Sequence, residues 1–122
     1  MKLRIKGDSI RLRLMRTEVA ALRSGGRIEE TVHLTPDHAL VYALARGAHE
    51  GVRVTFDGRE ACVHVSAAIL EAWTTSDEVG FQRDVPVGPN RALCVLVEKD
   101  WQCLTGRDED ERDAYPNPNT GC

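Results

Sequence analysis

Apolar residues occupy alternate positions over residues 3–5 and again over residues 10–14, on either side of a Gly7-Asp8 pair. A period of two predicts half-buried strands, because successive side chains of a strand point to opposite faces. Glycine at the first central position of a two-residue loop favours a tight hairpin turn. The pattern therefore predicts an N-terminal hairpin with Leu3 and Ile5 facing the core.

One helix and two further strands follow. Residues 17–24 have helical spacing, with Val19 and Leu22 on the inner side, and the helix is expected to stop at Gly25-Gly26. Alternation resumes in two runs separated by a Thr-Pro-Asp turn, at residues 27–34 and 39–46.

The second half of the chain repeats this order. It begins with two strand-like runs, VRVTF and REACVHV, on either side of an Asp57-Gly58 turn. A helix capped by Ser66 follows, with Ile69, Leu70 and Trp73 facing the core, and then two more strands. The segments TPDHALVYALAR and GPNRALCVLVEK share a turn, an Ala-Leu pair and the alternation at an offset of 53 residues. A recurring segment of this kind indicates an internal repeat.

We therefore predict a single α+β domain over residues 1–104, formed by two strand–strand–helix–strand–strand units at residues 2–46 and 52–100. The sheet is expected to be mostly antiparallel with two short helices. Eight short strands can form a barrel-like sheet or a two-layer arrangement, and the sequence leaves both open. Residues 105–122 are predicted to be an acidic, proline-containing extension docked on the domain.

Charge is distributed unevenly within a net charge of −3. The first sixteen residues contain six basic residues and one acid, whereas residues 98–122 contain seven acids and three basic residues. Alternation places five cations on one face of the first hairpin: Lys2, Arg4, Lys6, Arg11 and Arg13. Like charges on one face repel one another unless an anion or acidic segment lies nearby. This pattern predicts an anion- or partner-binding face; the alternative is a solvated face whose long side chains cover apolar surface.

The closing segment, residues 98–122, is acidic and is therefore the part of this chain that we expect to bind that face. Its prolines disfavour a regular helix, and Trp101 and Tyr115 are its predicted docking contacts. Each exposed ion pair contributes only about 0–1 kcal/mol, so docking requires several pairs together with burial of Tyr115.

Neither the cysteines nor the histidines have the spacing of a metal site. Cys62 and Cys94 lie in strand-like runs, where a free thiol packs as a small apolar group. Cys103 and Cys122 bracket the closing segment; they can pair, share zinc across a dimer or remain free. Two thiols are too few for a structural zinc site, and H-E-x-x-H does not occur. We predict no metal and no cofactor.

Common enzyme signatures are also missing from the sequence: it contains neither G-x-S-x-G nor a glycine-rich phosphate loop. Aromatic residues make up 5% of the chain and none is interleaved with the basic residues, so nucleic acid is not an expected partner. The charged start and the lack of a long apolar run predict a cytoplasmic protein without a membrane partner.

The leading hypothesis is a non-enzymatic binding module for an anionic ligand, an acidic partner or its own closing segment. The alternative is a small enzyme acting on a phosphorylated or anionic substrate in the sheet cavity. A homodimer formed through an edge strand or the closing segment is a further alternative.

Four segments resemble an uncharacterised bacterial family, a domain of unknown function. They are RIKGDSIRLRL at residues 4–14, SDEVGF at 76–81, VEKDWQCL at 97–104 and DAYPNP at 113–118. The resemblance covers essentially the whole chain. It implies a small bacterial protein with a shared fold, and it transfers no activity and no catalytic residue.

Overall fold

The chain forms eight strands and two helices in a computed structural model, which describes residues 1–101 and 115–116. Each predicted element is present close to its predicted position. Neither helix in these ranges has the length and apolarity needed to cross a membrane. The elements are β1 (Lys2–Lys6), β2 (Ser9–Leu14), α1 (Arg16–Arg23), β3 (Arg27–Thr35), β4 (His38–Gly47), β5 (Val52–Phe56), β6 (Glu60–Ser66), α2 (Ala67–Thr74), β7 (Gly80–Pro86) and β8 (Ala92–Lys99).

The strands form two four-stranded mixed sheets. Sheet A has the order β1-β2-β8-β7, and sheet B has the order β3-β4-β6-β5. The hairpins are antiparallel, whereas β2 pairs with β8 and β4 pairs with β6 in parallel. Sheet A thus joins the hairpin before α1 (β1–β2) to the hairpin after α2 (β7–β8). Sheet B joins the hairpin before α2 (β5–β6) to the hairpin after α1 (β3–β4). For the described strands, the structure favours two open sheets over a closed barrel.

Backbone geometry explains why α1 ends where the sequence predicts. Gly25 has a φ of 88°, a conformation that glycine adopts at little cost. Its N–H donates to the Leu22 carbonyl at 3.0 Å, and the Gly26 N–H donates to the Ala21 carbonyl at 2.9 Å. These two bonds satisfy carbonyls that the end of a helix leaves unpaired. At the start of α2, the Ser66 hydroxyl accepts the Ile69 N–H at 3.3 Å, as expected for an N-cap.

Polar contacts join the start of the chain to α1 and sheet B. The Met1 ammonium contacts the Glu18 carboxylate and lies 3.4 Å from a Glu30 oxygen. Glu18 also accepts the Met15 N–H at 2.8 Å, at the start of α1. The Tyr42 hydroxyl donates to the Met1 carbonyl at 3.1 Å. Burial, together with the nearby Glu30 and Glu18 carboxylates, raises the pKa of Tyr42 above its ordinary value.

A single hydrophobic cluster contains residues from both sheets and both helices. It includes the predicted inward positions of the helices, among them Leu22, Leu70 and Trp73, which are fully buried. The inward prediction for Ile5 is wrong, since this side chain is 63% exposed. Ile5 lies next to the turn of the edge strand β1, which is paired with a neighbour on one side only among the described strands. The other members of the cluster are Leu12, Leu14, Leu44, Val63, Val65, Phe81, Val95 and Val97.

Trp73 provides a direct test of this core. Its ring packs edge-on against Phe81 at a centroid distance of 5.5 Å, and its N–H donates to the Val79 carbonyl at 3.2 Å. Trp73→Ala leaves a large cavity and is expected to lower the free energy of unfolding by about 3–5 kcal/mol. The matched control is Trp101→Ala, at a side chain that is 58% exposed; it should change stability by less than about 0.5 kcal/mol.

Urea unfolding followed by far-ultraviolet circular dichroism measures both tryptophan variants. Equal losses of stability in the two would contradict the assignment of Trp73 to the core.

Candidate functional site

The five predicted cations lie on one surface of sheet A. The β1–β2 register places Lys2 opposite Arg13 and Arg4 opposite Arg11, while Lys6 lies opposite Ser9. Directly opposed side chains of paired strands share a face. We call the surface formed by Lys2, Arg4, Lys6, Arg11 and Arg13 the basic face. The structure brings these residues together, and their role in binding stays a prediction.

The parallel pairing of β2 with β8 adds an acid to this face. Glu98 is paired with Arg13, and its Oε1 lies 2.5 Å from Nε of Arg13 and 3.6 Å from Nε of Arg11. The Glu98 side chain is 14% exposed. A carboxylate held between two guanidinium groups attracts both and fixes their position on the sheet. In the sequence, Glu98 belongs to the acidic end of the chain, and the structure places it within the basic face.

Two more carboxylates of the described residues lie close to the basic face. Lys2 Nζ lies 3.0 Å from an oxygen of Asp100, just beyond β8, and the lysine side chain is 75% exposed, so this pair contributes little to stability. On β7, Asp84 is paired with Cys94, which is itself paired with Ser9. Among the described residues, Glu98 and Asp100 thus contact cations of the basic face, and Asp84 lies on the same side of sheet A.

Two cavities of about 210 Å³ each open on the basic face. Arg4 and Arg11 line both of them. The first cavity combines cations with the apolar side chain of Leu96, which is paired with Arg11 on the same face, so it suits a group carrying both negative charge and apolar surface. Ile10, whose side chain packs against the core, also borders this cavity. Its other lining residues are Lys6, Ser9, Gln82 and Cys94, and the second cavity adds Lys2, Leu3 and Arg13.

The predicted docking contacts of the closing segment are exposed. Trp101 is 58% exposed and Tyr115 is 96% exposed, so the structure does not show the burial of Tyr115 that the sequence analysis required. Residues 102–114 and 117–122, with Cys103 and Cys122, lie outside the described residues. Docking of the acidic segment on the domain therefore stays a prediction.

A second polar cluster lies on sheet B around Cys62. The thiol is 2% exposed, and its Sγ lies 3.7 Å from Nη1 of Arg27 and 3.9 Å from Nδ1 of His64. The Arg27 guanidinium also pairs with Glu60, and His64 shares a hydrogen bond of 2.9 Å with Thr55. Burial raises the pKa of the Cys62 thiol, which disfavours the reactive thiolate. Among residues 1–101 and 115–116, no group of three or more His, Cys, Asp or Glu side chains is placed to hold a metal.

Comparison with known proteins places the chain in a family. The family model described as a family of unknown function, DUF7009, matches residues 1–119. The chain belongs to DUF7009. The resemblance to a family of unknown function is thereby confirmed. No curated protein and no solved structure is detectably similar to the chain.

The DUF7009 match extends beyond the described domain and includes the acidic residues 107–113. The basic face and the acidic residues 107–113 therefore both lie within the part of the chain that the family model matches.

Several residues beside the five cations of the basic face could not be predicted from the sequence. The pairing of β8 with β2, and of β7 with β8, brings four further residues to this surface: Glu98, Leu96, Cys94 and Gln82. Alternation within one strand does not predict which strand lies next to it. Cys94 was expected to be a buried apolar group, but it is only partly buried and lines the first cavity.

The two described cysteines of this DUF7009 protein should differ in reactivity. Because Cys62 is buried with a raised pKa and Cys94 lines an open cavity, iodoacetamide is expected to label Cys62 at least about tenfold more slowly in the folded protein. Peptide mass spectrometry measures both rates, and the urea-unfolded chain provides the control in which they converge. Equal rates in the folded protein would contradict the buried placement of Cys62.

Proposed function

We propose that this DUF7009 protein is a non-enzymatic binding module whose basic face receives a carboxylate-rich peptide segment. That segment is supplied by its own residues 107–113 or by an acidic partner protein. The observation that carries the proposal is the lining of both cavities by Arg4 and Arg11, the central cross-strand pair of the basic face.

Guanidinium chemistry supports a carboxylate ligand. Arginine presents a planar fork of donors that matches a carboxylate and forms short, charge-assisted hydrogen bonds. The contacts of Glu98 with Arg11 and Arg13 are an instance of that interaction on the same surface. A peptide laid across β1 and β2 would extend the pattern to the row formed by Arg4 and Arg11.

Composition supports a peptide segment of this chain. Residues 107–113, RDEDERD, contain five acids and two arginines, and DUF7009 includes them in its matched span. A tethered segment has a high effective concentration at its own domain, so individually weak ion pairs can be sufficient for binding. The apolar side chain of Leu96, paired with Arg11, supplies contact area beside the charges.

We also infer that the fold contains a duplicated strand–strand–helix–strand–strand unit, at residues 2–46 and 52–100. The support is the strand order of the two sheets. In the two units β1 corresponds to β5, β2 to β6, β3 to β7 and β4 to β8. Exchanging each strand with its counterpart converts the order of sheet A into that of sheet B. On this inference the basic face is specific to one half, since the corresponding strand β5 has the sequence VRVTF.

A peptide titration tests the binding proposal. A synthetic peptide of residues 105–119 is titrated by calorimetry into the chain that ends at Leu104. Arg4→Gln is expected to weaken binding by about tenfold, because one charge-assisted contact is lost. The matched control is Arg83→Gln, which removes the same charge from the opposite side of sheet A, where Arg83 is paired with Val95; its effect should be small.

Inorganic pyrophosphate serves as the competing probe in the same titration. Binding of pyrophosphate without binding of the peptide would replace the peptide proposal with a small-anion site. Equal affinities of the Arg4→Gln and Arg83→Gln variants would show non-specific charge attraction and refute a site on the basic face.

A further inference from the structure

The free edge of β3 differs from the other sheet edges. Sheet A ends at β1 and β7, and sheet B ends at β3 and β5. The strand β3 has nine residues, against seven in β7 and five each in β1 and β5. Among the described strands, β3 therefore offers the longest row of unpaired backbone groups, and such a row is a template for another strand.

The other edges carry features that discourage strand addition, and β5, like β1, has only five residues. Three of the five residues of β1 are cations, and β7 ends at Pro86, which has no N–H to donate. In β3 there is no proline, and Val32 is 40% exposed while residues 31–35 are all exposed. The charged residues of β3, Arg27, Glu29 and Glu30, lie in its first half, and the edge is accessible to a partner over residues 31–35.

We propose that β3 pairs with β3 of a second copy of this chain, antiparallel and centred on Thr31. The pairing joins two copies of sheet B into one continuous eight-stranded sheet. It is independent of the proposed binding function, because the basic face belongs to sheet A.

Charge complementarity selects this register. With Thr31 at the centre, Glu29 lies opposite the partner's His33, and the symmetry of the pair repeats this contact. An imidazole N–H can donate to the carboxylate in each contact, and opposite cross-strand pairs of this kind are stabilising. On the other face of the strand, Val32 packs against the methylene groups of the partner's Glu30, which reduces the exposure of Val32.

Neighbouring registers are less favourable. Centring the pair on Glu30 places Glu30 opposite the partner's Glu30, and like charges directly opposite are destabilising. Centring it on Val32 separates Glu29 from the partner's His33. The regular part of β3 ends at His33, since its pairing with β4 is irregular between His33 and Thr35, so the predicted overlap is residues 29–33.

Mass measurement with a charge swap tests the dimer. Sedimentation of the full chain from about 1 to about 500 µM should show a shift from 13.5 kDa toward twice that mass. His33→Glu sets two pairs of like charges against each other and should weaken the dimer about tenfold. Glu29→Lys combined with His33→Glu should restore it. His38→Glu, an equivalent change on the adjacent strand β4, is the control and should leave the dimer unchanged.

Cross-linking tests the register. Thr31→Cys places the two new thiols opposite each other, so mild oxidation should link the copies through position 31, as identified by peptide mass spectrometry. His33→Cys is the matched control, because its two thiols would lie four residues apart along the paired strands, about 14 Å, too far for a disulfide. A monomer throughout the concentration range would overturn the proposal. A dimer that is insensitive to His33→Glu and is not linked by Thr31→Cys would also overturn it.

Discussion

The parallel pairing of β2 with β8 is the interaction on which the basic face depends. It runs over six residue pairs, from Ser9 with Cys94 to Leu14 with Lys99, and joins segments at opposite ends of the described domain. On its inner side it buries Leu12 and Val97, each at most 1% exposed. Because side chains alternate along a strand, the same pairing that builds the core sets the outer row of charges.

That coupling sets the backbone positions of the residues that form the basic face. Arg11 and Arg13 flank the fully buried Leu12, so their backbone positions are fixed by the core. Glu98 is placed equally firmly beside Val97 and holds both guanidinium groups. Preorganised donors lose little freedom on binding, which favours affinity without a conformational change.

Most of the local structure could be predicted from the sequence because its causes are local. Alternation identified the strands, and the glycine pair after α1 and Ser66 before α2 marked helix ends through their own backbone and side-chain chemistry. Ile5 was assigned to the core because alternation gives a face but not what covers it. The covering layer is absent at the turn end of β1, an edge strand.

The composition of the candidate site was only half predictable. The cations come from one hairpin, so their shared face followed from alternation and a single turn. Glu98, Leu96 and Gln82 come from strands more than sixty residues further along the chain. Their position at the basic face depends on which strands pair with each other, and the packing of the whole core determines that pairing. A one-residue shift in the β2–β8 register would move Glu98 to the opposite side of the sheet.

We propose that the basic face of this DUF7009 protein binds the acidic segment of its own chain or an equivalent segment of a partner. Amide NMR spectra of the full chain and of the chain ending at Leu104 distinguish a bound segment from an unbound one. If the segment binds, its removal should shift the amides of residues 2–13 and 94–98 and leave those of sheet B unchanged. Unchanged amides across the basic face, or shifts confined to sheet B, would refute this proposal.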